Sequence, residues 1–422
     1  VAVVRVTLGN RAAENVDISS VAGPVSGVYT VTLSSPPTAD TVIGDTLTDE
    51  NATPRSYLIV GIIGSDLEVK DTFGASAAPD ASGTSQATTI RTYSGNNAIN
   101  LANADADDTG LYTSGDIAEW AVCEKVTIST QNNISNGGTV GLSHIKLFGH
   151  ENYRPSDSTP TTGWIDDPTG NLVMLQIIPA TGVEVTVAYL AVSKTNPSAT
   201  NNRQKLISIL GGTVNVHHNW VYTNKQTGGT GSVFYGISSV SGSPVMRIHN
   251  NQVWNIDNPG AGLGDGIFLT SAGTGTIVYN NTIYGCGRYG FVCTKTAAVF
   301  SNNILMGNVT EDMSSTSTPN AASNYNYSSD ATAPGGLSLH SQVVADTFVD
   351  ADNSDFHQKS TSTSRTFAAN LTGAATDIET DIEGNERPAS PTGWDAGAYH
   401  YVAPPLSAIP CVAAPVSGSF EF

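Results

Sequence analysis

With 422 residues and a net charge of −19 on only 18 basic side chains, the chain has no basic stripe for nucleic acid and repels strongly anionic polymers. Its most apolar stretch, residues 172–192, is broken by Gln176, Pro179, Thr181 and Glu184, so no membrane span is expected. Forty-two glycines, 13% charged residues and little helical periodicity point to an all-β chain with many turns.

Residues 1–8, 28–34 and 56–71 alternate as strands between glycine and proline punctuation, which predicts a small β-barrel or sandwich over residues 1–74. Residues 75–88 are rich in Ala, Ser and Gly and read as a linker. Residues 90–110 are expected to cover the open end of the coils that follow, because an open stack needs its end strand protected. Asn103–Asp108 alternates oxygens like a calcium loop, yet Asp108 stands where glycine is required and Ser114 where glutamate is. No cofactor is expected, and Ca²⁺ has only this weak signal.

Four segments superpose: residues 214–222, 246–254, 276–284 and 298–306. They place Asn219, Asn251, Asn281 and Asn303 in register, at intervals of 32, 30 and 22 residues. Val216, Ile248, Val278 and Phe300 precede the asparagine by three places; Val221, Val253, Ile283 and Leu305 follow it by two. Short strands repeating with one polar residue in register predict stacked coils joined by an amide ladder, each coil burying its apolar face on the next. A second strand per coil begins at Tyr235-Gly236-Ile237, Asp265-Gly266-Ile267 and Tyr289-Gly290-Phe291. Further upstream, residues 183–192 keep the apolar spacing with Leu190 at the asparagine position, and residues 140–148 with Ile145.

The pattern of Gly-[Ile/Phe] strands followed by apolar-x-x-Asn-Asn-x-apolar strands resembles the right-handed parallel β-helix repeat proteins of the pectate-lyase-like group. This resemblance implies a right-handed solenoid over residues 89–340. Residues 381–388, Asp-Ile-Glu-Gly-Asn-Glu-Arg-Pro, and residues 394–401 around Trp394-Asp395-Ala396-Gly397-Ala398 resemble the closing segment that follows many such domains. That implies a C-terminal cap over residues 341–403, with Arg387 paired to Asp395 and with Trp394 and Tyr399 on the last coil. Residues 404–422 read as an extended tail.

The family hydrolases' aspartate set, Gly-His-Gly and Arg-x-Lys are missing, and the paired aspartates Asp107-Asp108 and Asp166-Asp167 fall in loops. For a lyase, the nearest acid–base set is His217, His249 and Tyr279 in one column with Arg247 beside it, and Lys225 in the next turn; alternatively these are polar residues of a half-exposed face. Asp265 reads as a turn residue at a strand entry. Tyr222, Trp254 and Tyr284 form an outward stripe with about 4.8 Å between coils. Such a stripe can bind a sugar face, meet another subunit, or lie under loops of the same chain. Cys286 and Cys293 flank one turn and either pair or sit separately in the core; Cys123 and Cys411 have no assigned partner. Together these readings favour a secreted, cell-surface or virion-surface structural or adhesive protein. It would be homo-oligomeric or polymeric, with one terminus or the stripe in the contact. Polysaccharide cleavage is the alternative and glycan binding without cleavage a third.

Overall fold

The computed structural model describes residues 3–9, 14–38, 41, 45–49, 55–70, 78–79, 88–94, 98–107, 112–122, 125–128, 131–149, 164–166, 173–194, 204–223, 233–257, 263–389 and 393–402. Most of the linker, the tail, Lys225, Cys123 and Cys411 lie outside them. Among the described residues the chain is all-β, with three parallel sheets whose strands recur in strict rotation. Sheet 1 contains Ile117–Val122, His144–Gly149, Glu184–Ala188, Thr213–His217, Val245–His249, Ile277–Tyr279 and Val299–Ser301. Sheet 2 runs from Val126–Thr127 to Tyr327–Ser328, and sheet 3 from Asn132–Ile134 to Glu311–Met313. Each circuit of the three is one coil of a stacked, parallel solenoid.

Alternation explains the core. In sheet 1, Val185, Val187, Val214, Val216, Met246, Ile248, Val278 and Phe300 point inward and are completely buried, stacked through in-register pairing. Burying each such side chain contributes on the order of 1.5–3 kcal/mol. Phe300 stacks on Phe291 of sheet 3 with ring centroids 4.0 Å apart, which closes the interior from the opposite wall.

From Ala188 onward, sheets 1 and 2 are joined by two residues per coil, and their chemistry explains the Asn-Asn pairs. The first residue takes positive φ, at His218 (55°), Asn250 (52°), Asn280 (52°) and Asn302 (61°), a conformation asparagine tolerates better than most side chains. The second turns inward and builds the ladder. Asn219 Nδ2 donates to Asn251 Oδ1 at 3.0 Å, Asn251 to Asn281 at 2.9 Å, and Asn281 to Asn303 at 3.0 Å. A fifth rung, Asn326, accepts from Asn303 at 3.1 Å. Leu190 heads the column, its amide donating to Asn219 Oδ1. Ile145 does not belong to it: it pairs with Val185 inside sheet 1, five residues before the turn.

Two expectations about the ends are corrected. Among the described residues of 1–74 the strands form no closed barrel. Val3–Gly9 lies between Ile117–Val122 and Thr88–Ser94, parallel to both, and the remaining N-terminal strands extend sheet 1 as antiparallel neighbours. The first coil's N–H and C=O groups are thus satisfied by the chain's own first strand, both of whose edges are paired within the chain. The helix Ala98–Asp105 covers the coil end as expected, burying Ala98, Ile99 and Ala102 in the same core.

The C-terminal segment lies along the flank of the solenoid, where an end cap was expected. Trp394, Tyr399, Phe348 and Phe356 form one cluster with Trp220, Tyr222, Trp254 and Met306 of sheet 2. Its attachment is polar as well as apolar: Asn302 exchanges two hydrogen bonds with the backbone of Ala369, and Ala398 N donates to Thr282 Oγ1 at 2.9 Å. Gly397, at φ +82°, sits so close that a Cβ would meet Thr282 Oγ1 at 2.7 Å and Ile304 Cδ1 at 2.8 Å. Arg387 is buried, but it reaches the Asp395 carbonyl (3.0 Å), not its carboxylate, together with the Gly397 carbonyl (2.8 Å) and Asn250 Oδ1 (3.2 Å). The Asp395 carboxylate instead accepts from His400 Nδ1 and from the amides of Thr366 and Tyr401.

Candidate functional site

The outward residues of sheet 1 line a groove of about 450 Å³ that crosses four coils. In-register pairing sets Glu119, Lys146, Thr186, Asn215 and Arg247 in one column, with His144 and Glu184 in the column beside it. His217 and Tyr189 lie at the far side, and Thr376 and Asp377 of the C-terminal segment form a wall. Lys146 Nζ lies 3.3 Å from Glu119 Oε1, and Arg247 3.6 Å from Glu184 Oε1, so the charges alternate and largely cancel. Asn215 links the two sides, donating to Glu184 and accepting from Arg247 at 3.1 Å. His144 Nε2 lies 2.8 Å from Thr186 Oγ1, and burial lowers its pKa, which keeps the ring neutral near pH 7.

Both ion pairs are partly open to solvent, with Lys146 35% and Arg247 37% exposed at the side chain. Exposed pairs of this kind hold each other by only about 0–1 kcal/mol, so a ligand hydroxyl can replace either partner at little cost.

The residues expected to act together are divided. Arg247 is not in the groove lining but stands on the next strand, 3.6 Å from Glu184 Oε1, and His217 lines the groove although only 3% exposed. His249 is 1% exposed and stacked on His217 with centroids 4.9 Å apart. Burial first, then the adjoining His217 and His218 rings and the guanidinium groups of Arg387 and Arg247, push its pKa well below the ordinary value. Tyr279 is half-buried against the C-terminal cluster, and burial raises its phenol pKa. Of the four, only His217 lines the groove, and Arg247, 37% exposed at the side chain, is the most open to solvent. The aromatic stripe is likewise not a free surface. Tyr222 and Trp254 stack at 4.3 Å and are 7% and 2% exposed, and Phe356 packs on both Trp254 and Tyr284. Of the three fates open to the stripe, cover by the same chain is the one observed, because so much apolar surface gains most from burial.

Other expectations resolve simply. Asp265 is not in a turn but in the strand Gly264–Leu269, fully buried and bound in two hydrogen bonds by Arg288. Burial raises its pKa, and Arg288 opposes the shift. Cys286 and Cys293 are separate buried thiols, not a disulfide, and burial raises both pKa values. In the calcium-like stretch, Asn103 Oδ1 accepts from the amides of Ser135 and Asn136, and Asp107 Oδ1 from those of Gly137 and Thr139. These oxygens fasten the covering helix to the first coils. Among the described residues no group of three or more His, Cys, Asp or Glu side chains could hold a metal ion, and no helix is long and apolar enough to cross a membrane.

On the C-terminal segment, His357 is held between Asp355 Oδ1 (2.6 Å) and Glu383 Oε1 (3.1 Å). The hydrogen bond that its Nε2–H donates to Glu383, ahead of the opposing effect of burial, moves its pKa up to about 9. Because the folded value is raised, this contact stabilises fully below the unfolded value of about 6.5 and is lost as pH rises through 9. A proton NMR titration should place the His357 midpoint near 9, falling towards 6.5 in Glu383→Gln; an unshifted midpoint in the intact chain would contradict the pairing.

The groove residues Glu119, His144, Lys146, Glu184 and Asn215 were missed in the sequence. Their one signal is position: each stands on an outward site of an alternating strand, visible only once the strands are in register. Fold and site together define an all-β protein of stacked parallel coils with a polar, charge-balanced lateral groove. Comparisons with protein-family models, with curated proteins and with solved structures find no match to this chain.

Proposed function

We propose that the chain is an extracellular, glycan-binding parallel β-helix that holds an extended, uncharged polysaccharide along the outer face of sheet 1. The right-handed sense and the pectate-lyase-like kinship belong to this reading; parallel strand crossovers are right-handed in about 98% of cases. The observation that carries it is the groove itself. It runs across coils, parallel to the solenoid axis, and presents donors and acceptors at each strand spacing of about 4.8 Å. The two pairs Glu119–Lys146 and Glu184–Arg247 offer strong hydrogen bonds to hydroxyls without a net charge to attract a polyanion. Asp377 on the wall and the net −19 of the chain both disfavour uronates.

Cleavage has less support than binding, since His249 is buried and neither it nor Tyr279 lines the groove. A homo-assembly would have to use a surface other than the covered Tyr222–Trp254–Tyr284 stripe. Calorimetric titration with neutral, amino-bearing and uronate oligosaccharides tests the reading. Neutral oligomers should bind, and Lys146→Ala and Glu184→Gln should each weaken them about tenfold, the effect of one lost charge-assisted hydrogen bond of about 1.5 kcal/mol. Tight binding of uronates alone, or new reducing ends on incubation, would replace this reading with another.

A further inference from the structure

Three imidazoles meet at the corner where sheet 1 turns into sheet 2, directly under the C-terminal segment. His217 and His249 stack almost parallel (4°) with centroids 4.9 Å apart, and His218 stands nearly perpendicular to both, at 5.0 and 5.8 Å. All three are buried. His217 Nδ1 lies 2.8 Å from His218 Nδ1, and the other edge of His218 faces the C-terminal segment, with Nε2 3.2 Å from Thr380 Oγ1 and 3.3 Å from Thr380 O. Thr380 Oγ1 donates its own proton to Asp377 O, so His218 Nε2–H is the donor at this contact and His218 Nδ1 accepts from His217. Asn250 completes the joint, donating to Thr380 O at 2.7 Å and accepting from Arg387 at 3.2 Å.

We propose that this histidine cluster is an acid-sensitive latch: with neutral rings it holds residues 376–381 against the solenoid, and protonation releases them. A second proton on His218 would sit between the two Nδ1 atoms, where His217 already supplies one. The charge would also be created in a buried site facing a guanidinium. Two guanidinium groups oppose a charge here, Arg387 from the C-terminal segment and Arg247 from the strand of His249, while the uncharged Tyr189 ring stacks on His218 at 4.7 Å. Asp377 is the nearby carboxylate, while Asp381 and Asp395 act on Arg387. His249 Nδ1 is buried with no partner, so a charge on that ring has no acceptor there. The depressed pKa of His249, caused first by burial, agrees with this geometry.

The sign follows from linkage. A histidine whose docked pKa lies below its released value of about 6.5 supports docking fully above that pH; the support falls away as pH drops below it. Asp312 works the other way on global stability, because burial raises its carboxyl to about 6, but it lies in the strand Glu311–Met313, outside the segment. The measurement must therefore be local. Since Thr376 and Asp377 wall the groove, release would also open it, yet the latch stands or falls independently of any glycan.

Hydrogen exchange of the full chain, corrected for intrinsic rates, should show protection of the Asp381 and His400 amides, the two hydrogen-bonded reporters of the segment, falling at least tenfold between pH 7.5 and 5.0. Sheet 3 amides should change far less. In His218→Asn/His249→Phe the drop should shrink to twofold or less; asparagine suits the positive φ at 218, and phenylalanine keeps the stack at 249. Wild-type protection that changes less than twofold would overturn the proposal. So would a double variant that is protected at pH 7.5 and still loses tenfold. If the double variant does not fold, His249→Phe alone, expected to lose less protection than wild type, decides with the wild-type arm.

Discussion

An Asn251→Ala variant should lose about 3–5 kcal/mol of stability, among the largest effects available to a single side chain here. The Asn251 amide donates to Val216 O at 2.8 Å, His249 O at 3.0 Å and Asn281 Oδ1 at 2.9 Å, and its oxygen accepts from the Asn219 amide and side chain. All of these groups are buried, and each one left without a partner costs roughly 1–3 kcal/mol. Alanine also leaves a small void, and in a stacked array the damage falls on the coils either side of it. Urea denaturation followed by circular dichroism measures the loss; a change below 1 kcal/mol would mean that the ladder is ornamental. Asn251→Leu should fare no better, although Leu190 occupies the head of the same column. Leu190 has one ladder neighbour, whereas Asn251 has asparagines on both sides.

Arg387→Met should detach the C-terminal segment, at a cost of about 3–5 kcal/mol from breaking a buried charged network on one side. The guanidinium ties together the carbonyls of Asp395, Gly397 and Ala398 and the side chain of Asn250, so it joins the segment to itself and to the solenoid at once. Burial lowers its pKa to about 10, with Asp381 and Asp395 opposing the shift, so the group stays charged near neutrality. Trp394, fully buried with its indole N–H on Pro388 O at 2.7 Å, reports the outcome. Its fluorescence should shift to the red and become quenchable in the variant. Unchanged emission and an unchanged unfolding midpoint would show that apolar packing alone holds the segment. Arg365→Ala is the control: that guanidinium lies 3.7 Å over the Tyr401 ring and its removal should cost no more than about 1 kcal/mol.

Much of the solenoid is determined by local sequence. An asparagine in register with apolar residues three before and two after it specifies an inward amide, two buried strands and a tight turn between them, all within nine residues. The first asparagine of each pair serves the positive φ of that turn, which is why the dipeptide recurs at Asn250-Asn251, Asn280-Asn281 and Asn302-Asn303. Where His218 or Tyr189 takes that conformation the motif weakens, although the coil does not.

Tertiary structure alone decided the rest. The groove column is spaced 27, 40, 29 and 32 residues from Glu119 through Lys146, Thr186 and Asn215 to Arg247, so insertions of unequal length hide its register. Nothing local announces that Glu119 will meet Lys146. The course of the C-terminal segment is equally long-range, with Arg387 reaching Asn250 across 137 residues and Tyr399 reaching Gln252 across 147. An outward aromatic column is the same sequence whether it faces a sugar, a partner or its own chain. Here the energy of burying it against Phe348, Phe356 and Trp394 draws the segment to the flank of the coils, and the segment in turn supplies the wall of the groove.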